Sequence, residues 1–396
     1  LWSVAALGEH LGDVAPLRAS PAGSLRGGCV FLTGATGTLG RALLPRLLAE
    51  LGTTGRVHCL VRHPDALSGA RHATLSDEAR VVVHVGDLRE DRFGLANDGY
   101  DALARDVDVV IHLGARLSGA ASLDALRAVN VEGTRRVLQL CHDVRPKALL
   151  HASTLSVFTD ASPRPATCLE ADDLADRDAL LTPYAASKWL AERLVRRADP
   201  SEHAATIVRF GLLTGASDTG VGDPQGHLER FIRGLARLSA LPDVCLAAAE
   251  HLAFDVTPLD HAADACVALL SHDRTRGGGG TYHVAAREPA SLAALLHAMR
   301  AEGVALTPLP TREFFGRAGA HRDATGDVAL AALSLARGVP GMLPQHRALD
   351  LFAATGAHFS LVNTSRALAA ALPRGASLGP RPDPALLRRY VRAALA

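Results

Sequence analysis

The chain has 396 residues and a mass of 41.4 kDa, with 48% hydrophobic and 21% charged residues. That composition excludes a disordered chain, and the length suggests one large domain or two intimate ones. Lysine plus arginine number 42 and aspartate plus glutamate 41, which leaves a formal net charge of +1. A chain at that balance lacks the general positive charge with which proteins bind nucleic acid or anionic membranes. We expect a soluble, globular protein.

Cysteine usage and the N-terminus favour a reducing, cytoplasmic setting. The six cysteines are widely separated and form no CxxC pair, so neither a zinc ribbon nor a thioredoxin-type motif is predicted. No HExxH motif or clustered His, Asp and Glu spacing indicates a metal site. No apolar run approaches the roughly 20 residues of a membrane span. The N-terminus lacks the features of a signal peptide and also an initiator methionine, which leaves open whether the chain is one piece of a longer protein.

The predicted elements alternate between strand and helix through the first half of the chain. Short runs rich in β-branched residues predict strands, and amphipathic stretches predict helices between them. The predicted strands are Cys29–Thr33, Arg56–Val61, Val81–Val85, Val107–Leu113, Ala148–Ala152 and Thr206–Phe210, and the predicted helices are Leu39–Leu51, Leu123–His142 and Tyr184–Arg197. This alternation is typical of a parallel, doubly wound sheet covered by helices on both faces. The predicted fold class is α/β.

Beyond Ala216 the alternation gives way to loops and shorter helices, which predicts a smaller, mostly helical substrate domain at the C-terminal end. The predicted organisation is an N-terminal linker helix over residues 1–26, a nucleotide-binding domain over 27–215 and the substrate domain over 216–396. A helix over Asp260–Leu270 is expected to return to the first domain, in a segment near residues 250–270. Gly277–Gly280 is interpreted as a flexible connector, and a last helix is predicted over Pro384–Leu395.

A glycine-rich loop follows the first predicted strand. It spans Thr33–Gly40 (TGATGTLG) and leads into a helix. Gly34 permits a tight turn, Gly37 lets the backbone approach a pyrophosphate, and Gly40 lets helix and strand pack closely, while the helix N-terminus attracts negative charge. The strand before the loop and the helix after it therefore predict a dinucleotide site. A P-loop is excluded because no GK[ST] follows.

The ends of the second and third strands indicate which dinucleotide binds. An NAD site places Asp or Glu near the end of the second strand for the ribose 2′-hydroxyl, and this chain has Arg62 there. A guanidinium suits a 2′-phosphate, so NADPH is favoured over NADH, and the alternative interpretation is a solvated surface arginine. Asp87, in the Gly86-Asp87-Leu88 turn after the third strand, is interpreted either as a cap on the adenine or as an ordinary turn residue.

A tyrosine and a lysine lie four residues apart in Tyr184-Ala-Ala-Ser-Lys188, on one face of a predicted helix. A fixed positive charge nearby lowers the pKa of a phenol, which makes Tyr184 a usable general acid. Lys188 is also suited to hold the nicotinamide ribose. Ser153 and Thr154 stand at the end of the fifth strand, where a hydroxyl can polarise a carbonyl oxygen. Thr154 is the preferred candidate, and Ser153 stays open as the alternative.

Together these motifs resemble the extended short-chain dehydrogenase/reductase superfamily. The residues that carry the resemblance are TGATGTLG, GDL, IHLGA, Asn130-Val131-Glu132-Gly133-Thr134, STLSV and YAASKWLAE. Within the superfamily the chain is similar to the thioester reductase domains of nonribosomal peptide and polyketide synthases and of carboxylic acid reductases. The closer similarity is carried by Gly215–Gly220, Phe254–Asp260 and the tail, which has Asp350–Gly356 followed by Asn363-Thr364.

The resemblance implies a Rossmann-type fold and a set of site residues. It carries over Thr154, Tyr184 and Lys188 as the catalytic set. It places around the cofactor NADPH the residues Gly34, Thr36, Gly37, Thr38, Leu39, Gly40, Arg62, Asp87, Leu88, Ala115, Asn130, Tyr184, Lys188, Phe210, Gly211, Leu212 and Leu213. Phe210 stands where the family usually has proline, which frees the φ angle and restores an N–H next to the nicotinamide.

The implied reaction releases an acyl or peptidyl chain held as a phosphopantetheinyl thioester on a carrier protein of a larger synthase. Hydride from NADPH adds to the thioester carbonyl, Thr154 and Tyr184 hydrogen-bond the oxyanion, and Tyr184 protonates it. The hemithioacetal then collapses to an aldehyde and a free thiol, and a second cycle to the alcohol stays open. The alternative is an extended reductase, epimerase or dehydratase that acts on a free small molecule; Arg62 and the long tail after Gly280 weigh against it.

Overall fold

The computed structural model describes residues 2–9, 11–63, 65, 79–117, 121–159, 161–162, 165–173, 175, 178–180, 182–200, 204–326, 357–371 and 381–396. The predicted tail motif Asp350–Gly356 lies outside these residues. The chain divides into two compact units. The first contains Leu1–Phe210, Ala262–Val284 and Phe359–Leu378, and the second contains Gly211–His261, Ala285–His358 and Gly379–Ala396.

Seven strands form the central sheet of the first unit. They are β1 (Cys29–Thr33), β2 (Arg56–Val61), β3 (Val81–Val85), β4 (Val109–His112), β5 (Ala148–Thr154), β6 (Ala205–Phe210) and β7 (Gly280–Val284). Their order is β7-β6-β5-β4-β1-β2-β3, and every neighbouring pair is parallel. The inner strands β4 and β6 are buried at every residue, as strands covered on both faces should be. The predicted α/β, doubly wound fold is confirmed.

The seventh strand corrects one interpretation of the sequence. Gly277–Gly280 was expected to be a flexible connector, but Gly280 is the first residue of β7, and Thr281 pairs with Ile207 of β6. The strand reads GTYHV, and its polar Thr281 and His283 are both buried. This edge strand therefore lacks the continuous apolar run by which the inner strands were recognised.

Helices flank the sheet of the first unit. Their bounds are Val4–Glu9, Thr38–Leu51, Asn97–Asp106, Leu123–Asn130, Glu132–His142, Ser156–Thr159, Pro183–Ala198, Leu259–Arg276 and Val362–Ala371, with a 3₁₀ turn over Asp91–Gly94. The single helix predicted over Leu123–His142 is two helices, which meet at Val131. Asn130, the last residue of the first of them, turns a buried side chain toward the candidate site.

The N-terminal segment packs along the first unit. Trp2–Ser3 pairs antiparallel with Ala179–Leu180, which also pairs with Ala161–Ser162 to make a small three-stranded sheet. The helix that follows buries Val4 and Leu7. The helix covers Val4–Glu9, a small part of the 1–26 segment that was expected to be a linker helix.

The second unit is mostly helical. Its helices are His227–Leu238, Asp243–Ala247, Leu292–Ala301, Thr311–Thr325 and Pro384–Leu395, and its short strands are Leu213–Thr214, Ala240–Pro242, Ala253–Phe254, Thr257–Pro258, Ala290–Ser291 and Thr307–Leu309. The apolar faces of these helices share one core, which includes Ile232, Leu295, Phe314 and Leu387. Over the part of the chain that the structure describes, no helix is long and apolar enough to cross a membrane, and no group of three or more His, Cys, Asp or Glu side chains could hold a metal ion.

Candidate active site

The strand order of the sheet reverses at β1, which lies between β2 and β4. In open parallel sheets the crevice for a ligand forms at the carboxyl ends of the strands at such a reversal. Here the ends of β1 and β4 are held together, because Leu113 N donates to Thr33 O at 3.2 Å and Gly114 N donates to Thr33 Oγ1 at 3.0 Å. The same Thr33 hydroxyl hydrogen-bonds Nδ1 of buried His112 at 2.7 Å. This edge of the sheet is therefore well fixed.

The glycine loop approaches that edge more closely than any side chain would allow. Gly34 has a φ of 78°, and a Cβ there would lie 2.8 Å from Gly114 N. A Cβ on Gly40 would lie 2.1 Å from Gly34 O. Gly37 is exposed and begins the helix Thr38–Leu51 with no side-chain cap. Because a cradle this tight ends in an open helix N-terminus, the loop fits the pyrophosphate of a dinucleotide.

The other loop residues follow from this geometry. Thr36 and Thr38 are half-buried on either side of Gly37, whereas Leu39 is buried in the underside of the helix. Thr36 O accepts a hydrogen bond from Arg41 Nη1 at 2.9 Å. Arg41 thus braces the loop from its own helix.

Arg62 and Asp87 follow the adjacent strands β2 and β3. Arg62 is exposed immediately after β2. The carboxylate of Asp87 accepts hydrogen bonds from Arg89 Nη2 at 2.7 Å and from Arg89 N at 2.8 Å. These bonds, with a smaller contribution from the Arg62 charge, hold the pKa of Asp87 below its ordinary value. Leu88 is buried, and a Cβ on Gly114 would lie 2.8 Å from its Cδ1.

Asn130 connects the cofactor side of the site to the helix that carries the tyrosine and lysine. Its side chain is 1% exposed. Arg116 N donates to Asn130 Oδ1 at 2.7 Å, which fixes the backbone next to half-buried Ala115. Asn130 Nδ2 donates to Ser187 Oγ at 2.9 Å, and Ser187 Oγ donates to Tyr184 O at 2.8 Å. Both ends of the Asn130 amide are therefore hydrogen-bonded to protein groups, which positions the backbone at Arg116 and the helix that carries Ser187.

Lys188 and Tyr184 lie one turn apart on the helix Pro183–Ala198. Thr182 caps this helix by accepting from Ala185 N at 3.2 Å, and Pro183 occupies its first turn, where no backbone N–H is needed. Lys188 is 5% exposed, and its Nζ donates to Ala152 O at 2.6 Å. Burial lowers the pKa of Lys188 to about 8, against an opposing contribution from Glu192. Tyr184 is half-buried.

The two candidate hydroxyls at the end of β5 have different partners. Ser153 Oγ donates to Glu192 Oε2 at 2.8 Å. Thr154 Oγ1 accepts from Ser156 N at 3.1 Å and also lies 3.1 Å from Ser156 Oγ. Since neighbouring residues of a strand face opposite sides of the sheet, only one of the two can point where a substrate carbonyl would lie.

A buried ion pair beneath these residues was not predicted from the sequence. Arg209, 1% exposed, donates from Nε to Glu192 Oε2 at 3.0 Å and from Nη2 to Glu192 Oε1 at 2.5 Å. Although burial opposes it, the Arg209 charge lowers the pKa of Glu192 to about 2. Glu192 stands one helical turn after Lys188, so the Lys-x-x-x-Glu spacing was the available signal. The pair joins the helix Pro183–Ala198 to β6 and, through Ser153, to β5.

The last predicted cofactor residues lie at the end of β6. Phe210 is 4% exposed, pairs with Thr154 in the sheet register, and accepts a hydrogen bond from Leu155 N at 2.9 Å. Gly211, Leu212 and Leu213 are half-buried and begin the second unit. The first unit thus brings Thr154, Lys188 and Phe210 together at the carboxyl ends of β5 and β6.

Comparison with known proteins places this geometry in a family. The family model described as "Male sterility protein" matches residues 32–266. A linear gramicidin synthase protein from Brevibacillus parabrevis is 32% identical over 250 residues, which are 60% of this chain and 5% of that protein. L-2-aminoadipate reductase from Saccharomyces cerevisiae is 31% identical over 262 residues, 60% of this chain and 18% of that protein. The chain therefore spans less than a fifth of either relative.

A solved structure matches almost the whole chain. The terminal R domain from the myxalamid PKS-NRPS biosynthetic pathway is 28% identical and superposes with a TM-score of 0.77, covering 97% of this chain and 93% of that one. The expected resemblance to the reductase domains of such synthases is confirmed, as is the assignment to the oxidoreductases. Since the family model matches more than half of its length, this chain belongs to the male sterility protein family, whose members bind a nicotinamide cofactor on an extended short-chain dehydrogenase/reductase fold.

Proposed function

We propose that this chain is a thioester reductase domain, which releases an acyl or peptidyl chain from the phosphopantetheine of a carrier protein as an aldehyde. The observation that carries the proposal is the match to the myxalamid terminal R domain, at 28% identity across 97% of the chain. The carrier-protein partner and the setting within a larger synthase are inferred from relatives such as the linear gramicidin synthase protein.

Three side chains of the first unit each have a separate role in the proposed reaction. When bound, the nicotinamide cofactor supplies the hydride that reduces the thioester carbonyl. Thr154 donates a hydrogen bond to the carbonyl oxygen as negative charge develops there. Tyr184 hydrogen-bonds the same oxygen and transfers its proton to it. Lys188, protonated below about pH 8, keeps a positive charge one helical turn from the phenol and stabilises the phenolate that remains.

The product of that proton transfer is a hemithioacetal on the substrate. Its carbon–sulfur bond breaks as the hydroxyl proton leaves, which gives the aldehyde, and the sulfur takes up a proton to become the free phosphopantetheine thiol. Reduction of the aldehyde to the alcohol would use the same three groups and a second molecule of reduced cofactor. Whether the site reduces its substrate by two electrons or by four stays open, and the identity of the product decides it.

We assign the cofactor to the glycine loop and its neighbours. Gly34, Gly37 and Gly40 form the cradle for the pyrophosphate, in which a Cβ would collide with backbone at the first and last positions. Arg62 is exposed at the end of β2, where a 2′-phosphate would lie, and this favours NADPH over NADH. Asp87 holds its carboxylate against Arg89, and it lines the adenine side of the site.

The test is oxidation of NADPH, followed by absorbance, with an acyl-pantetheine or acyl-CoA thioester, with NADH in parallel and products identified by mass. We expect aldehyde or alcohol with NADPH. Tyr184→Phe should lower turnover by about 10²–10⁴-fold while NADPH affinity stays nearly unchanged. Tyr100→Phe is the matched control, because that phenol donates to Asp143 Oδ2 at 2.8 Å, away from the site, and its turnover should be kept.

Two results would overturn the proposal. Unchanged turnover in Tyr184→Phe would remove the tyrosine from the role of acid. Tight NADPH binding without turnover of any thioester, even one loaded on a carrier protein, would replace thioester reduction with chemistry on a free small molecule.

A further inference from the structure

The backbone that follows β6 is held by one buried carboxylate of the second unit. Asp255 is 8% exposed. Its Oδ2 accepts hydrogen bonds from Leu212 N at 2.8 Å and from Thr257 Oγ1 at 2.6 Å, and its Oδ1 accepts from Ala286 N at 2.8 Å. Each of these partners donates to the carboxylate, so an ionised carboxylate satisfies them all at once.

The Asp255 carboxylate packs so closely against Gly211 that no side chain fits at that position. A Cβ on Gly211 would lie 2.0 Å from Asp255 Oδ2 and 2.9 Å from Thr257 Oγ1. Leu212 is held from its other side as well, since its carbonyl accepts from Thr257 N at 2.9 Å. Leu212, at the centre of the loop Gly211–Leu213, is therefore held at both its N–H and its C=O group by the segment Asp255–Thr257.

The position of this loop along the chain relates it to the reacting atoms. Phe210 pairs with Thr154, the proposed catalytic hydroxyl, in the sheet register. Gly211 follows Phe210 directly, so the Cα atoms of these two residues are about 3.8 Å apart. Ligands of doubly wound sheets bind at these carboxyl ends. A rigid backbone at this point would contact the reactive, nicotinamide end of the cofactor, whereas the glycine loop would contact its pyrophosphate.

We propose that Asp255 is a positioning residue, which fixes the backbone of Gly211–Leu213 against the nicotinamide end of the cofactor. This rests on the proposed function, because it takes the nicotinamide to lie beside Thr154 and Tyr184. It does not depend on which substrate is reduced. The adenine and phosphate end of the cofactor, held by the glycine loop and Arg62, is independent of Asp255.

The test compares the affinity of the whole cofactor with that of a fragment that lacks the nicotinamide. Titration calorimetry would measure NADPH and 2′,5′-ADP binding to the unsubstituted chain and to Asp255→Asn. The amide keeps the shape but turns one acceptor into a donor, so NADPH affinity should fall about tenfold while 2′,5′-ADP affinity stays within about twofold. Asp243→Asn is the matched control: Asp243 caps Thr311, with Thr311 N at 3.1 Å and Oγ1 at 2.8 Å, and should change neither affinity.

A second variant covers the case in which Asp255→Asn fails to fold. Gly211→Ala keeps the carboxylate and displaces the loop, so it should show the same selective loss of NADPH affinity. Equal weakening of both ligands, or no weakening of either, in a folded variant would overturn the proposal. Because the experiment measures binding, it tests the role of Asp255 even if the chain reduces no thioester. If the unsubstituted chain binds NADPH no more tightly than 2′,5′-ADP, both this inference and the placement of the cofactor are overturned.

Discussion

Ser153 and Thr154 are neighbours on β5 and differ in what their hydroxyls hold. Ser153 donates to the buried carboxylate of Glu192, which is itself paired with Arg209. Thr154 contacts only its near neighbour Ser156 among the hydrogen bonds that the described residues show. A hydroxyl committed to a buried ion pair cannot turn to a carbonyl oxygen without leaving that carboxylate short of a partner. This geometry favours Thr154 as the group that polarises the substrate.

Paired substitutions separate the two hydroxyls. Thr154→Val should lower kcat by about 10²–10³-fold, the usual cost of one oxyanion donor, with little change in the free energy of unfolding. Ser153→Ala should lower the free energy of unfolding by roughly 1 kcal/mol and leave kcat within a few-fold. Steady-state kinetics and urea denaturation of both variants measure these values. The reverse pattern would give the oxyanion role to Ser153.

At the scale of elements, the strands were predictable because of where they lie in the sheet. β1, β4, β5 and β6 are covered by helices on both faces, so each is a nearly continuous apolar run that stands out in the sequence. The glycine loop and the Tyr184–Lys188 pair were readable for a similar reason, since their spacing is local. Such patterns can be recognised in a sequence because the residues that interact are only a few positions apart.

The features that were not predicted depend on residues far apart in the chain. β7 was missed because its buried His283 and Thr281 are polar, and their partners come from elsewhere. Glu170 accepts from His283 N and, across 194 residues, from Thr364 N at 2.9 Å, and it thereby begins the helix Val362–Ala371. Arg209 and Asp255 were missed in the same way. No periodicity records such pairs, since each partner alone has the appearance of an ordinary polar residue.

The ion pair between Glu192 and Arg209 is expected to dominate the stability of the helix Pro183–Ala198 against β6. Glu192→Gln leaves the Arg209 guanidinium buried without its counter-charge, which should cost about 3–5 kcal/mol of the free energy of unfolding. Glu313→Gln is the control, because its pairing with Arg317 is exposed and spans one helical turn, and it should cost no more than about 0.5 kcal/mol. Urea denaturation of both variants measures these free energies of unfolding. Equal, small effects would mean that the Glu170 and Asp172 carbonyls, which also accept from Arg209, suffice to hold it.

At the scale of the molecule, desolvation shifts the pKa of different groups in the two units, as far as the structure describes them. The first buries neutral histidines: desolvation lowers the pKa of His112 and of His283 to about 3 and that of His151 well below its ordinary value. The second buries carboxyls: desolvation raises the pKa of Glu229 to about 7 and that of Asp255 to about 6. Two groups act in the opposite direction. Asp273 in the first unit has a raised pKa, which offsets part of the histidine effect, and His227 in the second unit has a pKa lowered by desolvation, which offsets part of the carboxyl effect.

The sign of the pH dependence therefore differs between the units. As the pH falls below 6.5, the ordinary histidine value, the unfolded chain binds protons that the folded first unit refuses until about pH 3, so stability is lost. A folded Glu229 instead binds a proton near pH 7 that the unfolded chain takes up only near 4.5, so stability is gained. Between about pH 7 and pH 5.5, His112 and His283 should each cost, and Glu229 and Asp255 should each add, about 1 kcal/mol.

Hydrogen exchange followed by mass spectrometry tests this within one sample. After correction for the intrinsic rate, peptides from β4 and β5 should lose protection between pH 7 and about pH 5.5, whereas peptides from the helix His227–Leu238 should gain it. Glu229→Gln removes the titrating group and should abolish most of the gain while the loss in the first unit persists. A shift of the same sign in both sets of peptides would show that the units unfold together, with one net proton balance between them.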